Sequence, residues 1–191
     1  SYNDPNYNFL GNSINYYVSS KENDKPESGY ENTVVAAGIG TAFEQYKNIY
    51  TDLSLSASYD DLRTLDSASD NLKKQSGNFS DLTGAYGIKY DTRNRSFRPT
   101  DGSIIYFNQE LPIYADKQSI SNSLSVSKYN ALSENAVLGS KFLISTITGV
   151  GDDDVRLSKR KNLSSRRLRG FERNKIGPVD GTDHIGGNYT A

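Results

Sequence analysis

Asn48–Asp60 reads NIYTDLSLSASYD. Its apolar positions, Ile49, Leu53, Leu55, Ala57 and Tyr59, alternate with Asn48, Asp52, Ser54, Ser56 and Ser58. Successive side chains of a strand point to opposite faces, so the pattern predicts a strand with one greasy face and one polar face. Period 2 returns on both sides of it. In Glu31–Phe43 the apolar set is Val35, Ala37, Ile39 and Phe43, against the small Ala36, Gly38 and Gly40. In Ser80–Asp91 it is Leu82, Tyr86, Ile88 and Tyr90, against Asp81, Thr83, Lys89 and Asp91. Ser103–Ile113 sets Ile105, Phe107, Leu111 and Ile113 against Tyr106, Asn108 and Glu110. Leu10 to Val18, Ile120 to Val126 and Ala136 to Ile144 alternate alike, and Arg156–Ser165 reads as a weaker, more charged strand. Nothing carries a 3.6-residue period, so little helix is expected.

Segments of about ten or more residues suit a tilted strand crossing a bilayer, whereas soluble strands average about five or six. Connections also differ in length. Short turns are expected at Gln45-Tyr46 and Asn130–Glu134, a long polar loop at Asp61–Asn78 and an acidic one at Gly149–Asp154. Short turns on one side and longer loops on the other is the habit of a membrane barrel. A soluble β-sandwich or lipocalin-like barrel also alternates. Strand length, few prolines within strands and a Ser/Thr/Asn-rich second face favour the membrane reading. Mean hydropathy of -0.68 does not oppose it, because a barrel hides its apolar residues by alternation. Fourteen Tyr and seven Phe suit aromatic girdles. No apolar run reaches the roughly 20 residues of a membrane helix.

The 191 residues suit one domain. They contain no Met, and a new alternating stretch begins as the chain ends at Ala191, so a fragment of something longer is expected. A net charge of -1 gives no global field for nucleic acid. The absence of Cys excludes a thiolate metal site, a disulfide scaffold and a Cys nucleophile. The single His, His184, has no Ser/Asp set to work with, and Asp152-Asp153-Asp154 lacks the spacing of a calcium loop. No enzyme is expected.

Two blocks go beyond alternation. Leu168-Arg169-Gly170-Phe171 is followed by Ile176-Gly177-Pro178 and then Gly186-Gly187-Asn188. Tyr90-Asp91-Thr92-Arg93-Asn94 leads into Phe97-Arg98-Pro99-Thr100-Asp101-Gly102. In order and spacing they resemble the BamA family of outer-membrane protein assembly factors, with Leu168 standing where that family often has valine. The resemblance implies an all-β fold, an antiparallel transmembrane β-barrel of the outer-membrane type. Residues 1–191 would be its middle part, about ten of sixteen strands, with an inward-folding loop at about 166–185. POTRA domains and the closing strands would lie outside the chain.

It further implies folding and insertion of β-barrel proteins, without nucleotide, metal or other cofactor, by an integral protein of the bacterial outer membrane. The implied partners are the lipid bilayer, unfolded β-barrel clients and accessory assembly lipoproteins, and no nucleic acid. TamA-like or two-partner secretion barrels, a passive porin-like channel and a soluble ligand-binding barrel are the other readings.

Arg169 is the first candidate site. A guanidinium presents a planar fork that can hold a carboxylate bidentately. Gly170 lets the backbone turn tightly and Phe171 can pack the loop tip. On its residues alone, Arg169 is equally one of several solvated arginines with Arg166, Arg167 and Arg173. The resemblance implies a latch to acidic residues on strands beyond Ala191. Ile176, Gly177 and Pro178 are expected at the base of that loop, and Gly186, Gly187 and Asn188 at the start of the next strand. Asp91, Arg93, Phe97, Pro99, Thr100 and Gly102 are expected to form a structural turn. Leu53, Leu55, Ile105, Phe107, Phe142 and Ile144 should face lipid, and Asp81, Lys89, Asn108 and Glu110 the lumen.

Overall fold

The computed structural model describes residues 1–164, 167–168, 170–172 and 174–191. Seven of the alternating stretches become the strands β2 to β8, and a short β1 precedes them: β1 Tyr2–Asp4, β2 Ser13–Lys25, β3 Tyr30–Tyr46, β4 Ile49–Thr64, β5 Gly77–Asp91, β6 Gly102–Ala115, β7 Ser119–Ser133 and β8 Ala136–Gly149. Three short strands follow, β9 Val179–Asp180, β10 Asp183–His184 and β11 Tyr189–Thr190. The main sheet is antiparallel, in the order β1 to β8 and then β11, and it does not close on itself. Among the described residues it has nine strands. β9 and β10 pair separately.

Cross-strand partners share a face, so register sorts the side chains. Ile49, Tyr90, Ile105, Val126 and Phe142 form one apolar row over five strands. Leu53, Leu55, Phe107 and Ile144 stand on that same outer face. Ser54, Ser56, Ser58, Asp81, Lys89, Asn108 and Glu110 stand on the inner face. Leu53, Leu55, Ile105 and Phe142 remain exposed, which in water would be costly and in lipid is not.

The buried cluster sits at one end of the sheet instead of between layers: Tyr30, Leu62, Ala68, Leu72, Phe79 and Leu157, with Ile185 packed against it. Leu62, Leu72 and Leu157 are each 1% exposed, and burying such a side chain is worth about 1.5–3 kcal/mol. The lobe 65–76 supplies part of this cluster. Its one-turn helix α1, Asp70–Lys73, is capped by Ser69 Oγ, which accepts from Leu72 N at 3.3 Å.

Several boundaries differ from the sequence reading. β3 runs on to Tyr46, and the turn falls at Lys47-Asn48, where Asn48 takes φ +66°. β7 continues to Ser133. Loop lengths do not segregate by end. The end carrying 65–76 and 150–188 also has the short connections 26–29 and 116–118, and the opposite end holds 92–101 beside the tight turns. The stretch read as a strand at Arg156–Ser165 forms none over its described residues, 156–164. Leu157–Lys159 forms a 3-10 turn, and Lys161 bridges to Gly187. Arg156 and Lys159 find carboxylate partners on the inner face, which draws the segment off the sheet and across it.

Candidate functional site

The site is built where the loop 150–188 crosses the inner face. Asp60 ends the polar face of the Asn48–Asp60 alternation, and Asp81 stands on the neighbouring β5, two residues past the Phe79 that pairs with Asp60 and so on the same face. Two inward carboxylates on adjacent strands need cations. Arg156 supplies one. Its Nη2 donates to Asp81 Oδ2 at 2.6 Å and its Nε lies 3.2 Å from Asp60 Oδ2. The guanidinium also covers the Phe79 ring at 4.6 Å from its centroid. Lys159 Nζ reaches Asp81 Oδ2 at 3.0 Å.

Ser158 Oγ donates to Asp60 Oδ2 at 2.5 Å and accepts from Arg156 Nε at 3.0 Å. Asn32 Nδ2 donates to Asp60 Oδ1 at 2.6 Å, and Asn23 Nδ2 donates to Asn32 at 3.1 Å. One polar network thus ties β2, β3, β4 and β5 to the loop. Side chains of Arg156, Asp60 and Asp81 are 3%, 4% and 1% exposed, so these ions have exchanged water for each other. Arg156 Nη1 and Asp81 Oδ1 are buried without a hydrogen-bond partner among the described residues.

Beside this clamp lies a cavity of about 620 Å³, walled by Ser54, Ser56 and Ser58 of β4 and by Lys159, Arg160 and Lys161 of the loop. Its cations mark a wider asymmetry. Between Val155 and Lys175 the sequence has nine Lys or Arg and one acid, Glu172. Glu172 is held below its usual pKa by its hydrogen bond to Lys175.

The loop returns through the predicted motifs. Gly186 has φ +69°, and a Cβ there would stand 2.9 Å from the Lys161 carbonyl, so loop and returning strand approach as only glycine allows. Gly187 and Lys161 exchange both backbone hydrogen bonds, at 2.8 and 3.0 Å. Asn188 Oδ1 accepts from Ile147 N at 2.6 Å. Pro178 accepts from Ile185 N at 3.1 Å, closing the base of the β9–β10 hairpin, with Ile176 half-buried and Gly177 exposed before it. Asp180 and Asp183 fix that hairpin to Ser69, at 3.0 and 3.2 Å.

Arg169 lies outside the described residues, as do Ser165, Arg166 and Arg173. Gly170 takes φ +90°, in keeping with a tight turn. Phe171 is 56% exposed. The arginine found in the clamp is Arg156, thirteen residues earlier in the chain. The second block is a turn at the opposite end of the sheet. Arg93 forks onto Asp91 at 2.9 and 2.7 Å, a hydrogen-bonded pair that raises the guanidinium above its ordinary pKa. Asn94 ties Thr100 from both sides, Phe97 is exposed and Pro99 half-buried, and Gly102 takes φ +96°.

Comparison with known proteins agrees with this architecture. A family model described as the Omp85 superfamily domain matches residues 1–191. The chain is 27% identical over 119 residues to the human sorting and assembly machinery component 50 homolog, covering 61% of this chain and 25% of that protein. The mouse protein of the same name matches over the same lengths at the same identity. A crystal structure of BamA from Haemophilus ducreyi lacking POTRA domains 1-3 superposes with a TM-score of 0.77 at 20% identity, over 92% of this chain and 37% of that one. The chain therefore spans about a quarter of the curated relatives it matches.

Proposed function

Because this chain belongs to the Omp85 superfamily, we propose that it forms part of the wall of a barrel that folds and inserts β-barrel proteins into a bacterial outer membrane. Matched relatives come from a bacterium and from mammals, so the bacterial membrane is part of the proposal. The partners are the bilayer, unfolded barrel clients and accessory assembly lipoproteins. The activity uses no nucleotide or metal.

The observation that carries this reading is a lipid-suited apolar outer face combined with an inner face crossed by a loop. A passive pore works through an open lumen, whereas Arg156, Ser158 and Lys159 fasten the loop across the wall. In lipid every backbone N–H and C=O must be paired, so an incoming strand needs an edge to pair with. A barrel that parts at its seam supplies that edge while the rest of its wall holds. The strands β2 to β8 are assigned to the holding wall. The same reading gives Arg169 the role of a latch to a lumenal carboxylate on a strand beyond Ala191.

Reconstitution tests it. The full-length protein in liposomes should speed insertion of an unfolded barrel client without ATP. Large open-pore conductance with unchanged client folding would replace this reading with the porin-like one.

A further inference from the structure

The strand after a long loop has a register problem. In a tight hairpin the turn fixes the register, but residues 150–188 separate β8 from β11, and a loop of that length barely constrains it. A slip of one residue would still send Tyr189 and Thr190 to the wrong faces. The observed ladder pairs Tyr189 with Ser145 and Thr190 with Ile144, and Leu143 and Ala191 exchange backbone bonds at 2.6 and 2.8 Å.

Continued by two residues, this register would pair Gly187 with Ile147. It does not continue. Both backbone groups of Gly187 go to Lys161 instead, and the Ile147 N–H that would have met the Gly187 carbonyl donates to Asn188 Oδ1. Where β11 begins therefore depends on where Lys161 sits. Lys161 follows Lys159 by two positions and Arg156 by five, and both of those bind Asp81.

We propose that the Arg156 clamp on Asp60 and Asp81 sets the register of β11 on β8, acting through the Lys161–Gly187 bridge, with Asn188 closing the ladder. Arg156 is then a positioning residue for the returning strand. The β9–β10 hairpin, held to Ser69, is the rival positioning element.

Disulfide trapping tests this without reference to assembly activity. The chain has no Cys, so an introduced pair reports on itself within it. Because Leu143 and Ala191 exchange both bonds, Ile144 and Thr190 form the closer, non-hydrogen-bonded pair, with Cα atoms about 4.5 Å apart in such ladders, which a disulfide can bridge. Ile144→Cys with Thr190→Cys reads the native register. Ile144→Cys with Tyr189→Cys, or with Ala191→Cys, reads a slip in either direction.

The pairs are oxidised in the full-length protein in its membrane, and only the folded fraction is scored. With Arg156→Ala, the ratio of native to slipped disulfide should fall several-fold, and Arg156→Lys should recover part of it. A neutral variant, Asp60→Asn with Asp81→Asn, Arg156→Gln and Lys159→Gln, removes all four charges together, strands none and so spares folding, and it should show the same fall. An unchanged ratio in the neutral variant would overturn the proposal and leave register to the hairpin. Loss of all disulfides in equal proportion would overturn it as well, since that reports lost stability and not lost register.

Discussion

At the scale of single residues, Arg156 is the side chain on which most depends. Removing one partner of a buried ion pair strands the other. Arg156→Ala should therefore lower stability by up to about 3–5 kcal/mol, less where lumenal water reaches Asp81. A urea midpoint on the folded barrel reads this, and an unmoved midpoint would deny the clamp its structural weight. On the proposed latch, Arg169→Ala should leave that midpoint near the parent and raise protease cleavage in the loop. Gly102 is a second case. A Cβ there would meet the Thr92 carbonyl and stand 2.8 Å from Arg93 Cα, at a φ of +96°. Gly102→Ala should cost roughly 1–3 kcal/mol, again as a shift in urea midpoint, even though the turn does no chemistry. The sequence displayed Asp60 and Asp81 as polar-face residues, and Arg156 within a charged stretch. It could not display their meeting, because the partners are 75 or more positions apart and join only across a folded sheet. Gly186, Gly187 and Asn188 read as the start of a strand, and they lie just before β11, which begins at Tyr189. Their division of labour, with glycines for the approach of Lys161 and Asn188 for the orphaned Ile147 N–H, was not legible.

At the scale of strands, period 2 was the readable signal, and register turned it into faces. Leu55→Lys would put a charge on the outer face, at a cost of about 2–4 kcal/mol if it lies near the bilayer midplane. Ser56→Lys, one residue on, points to the inner cavity and should be tolerated. The fraction of each variant that reaches the membrane folded separates them, and equal fractions would argue against a lipid-facing side. Strand ends were less legible than strand faces, because a turn such as Lys47-Asn48 hands its flanking residues to the ladder and leaves little to mark it. The outer face also carries a boundary that no single strand reveals. The row through Leu53 and Tyr86 turns polar at Gln109, Asn122 and Thr146, while the row through Ile49 stays apolar to Phe142. Tyr86 OH donates to Gln109 Oε1 at 3.0 Å, and Gln109 Nε2 to Asn122 Oδ1 at 2.5 Å. Barrel strands tilt against the axis, so a bilayer surface at constant depth must cut pairing rows obliquely. The hydrogen-bonded chain of Tyr86, Gln109 and Asn122 follows one such row and so crosses that cut.

At the scale of the whole molecule, an acidic half-wall holds a basic loop. The two are separated along the chain as well as by charge, and that separation has a consequence in time. Asp60 and Asp81 leave the ribosome well before Arg156, and the strands that carry them can pair by successive neighbouring hairpins, each a local event. The loop cannot take its place until β4 and β5 lie side by side, because neither carboxylate alone makes the pocket into which the guanidinium fits. Contacts of such long sequence separation form late and slowly. Docking of Arg156 should therefore be among the last steps of maturation, with β11 adding to β8 only afterwards. Until then the wall waits with its acids in water, where they cost nothing. The ion pair that looks like a static fastening in the finished barrel is, on this view, the record of the order in which the barrel was made.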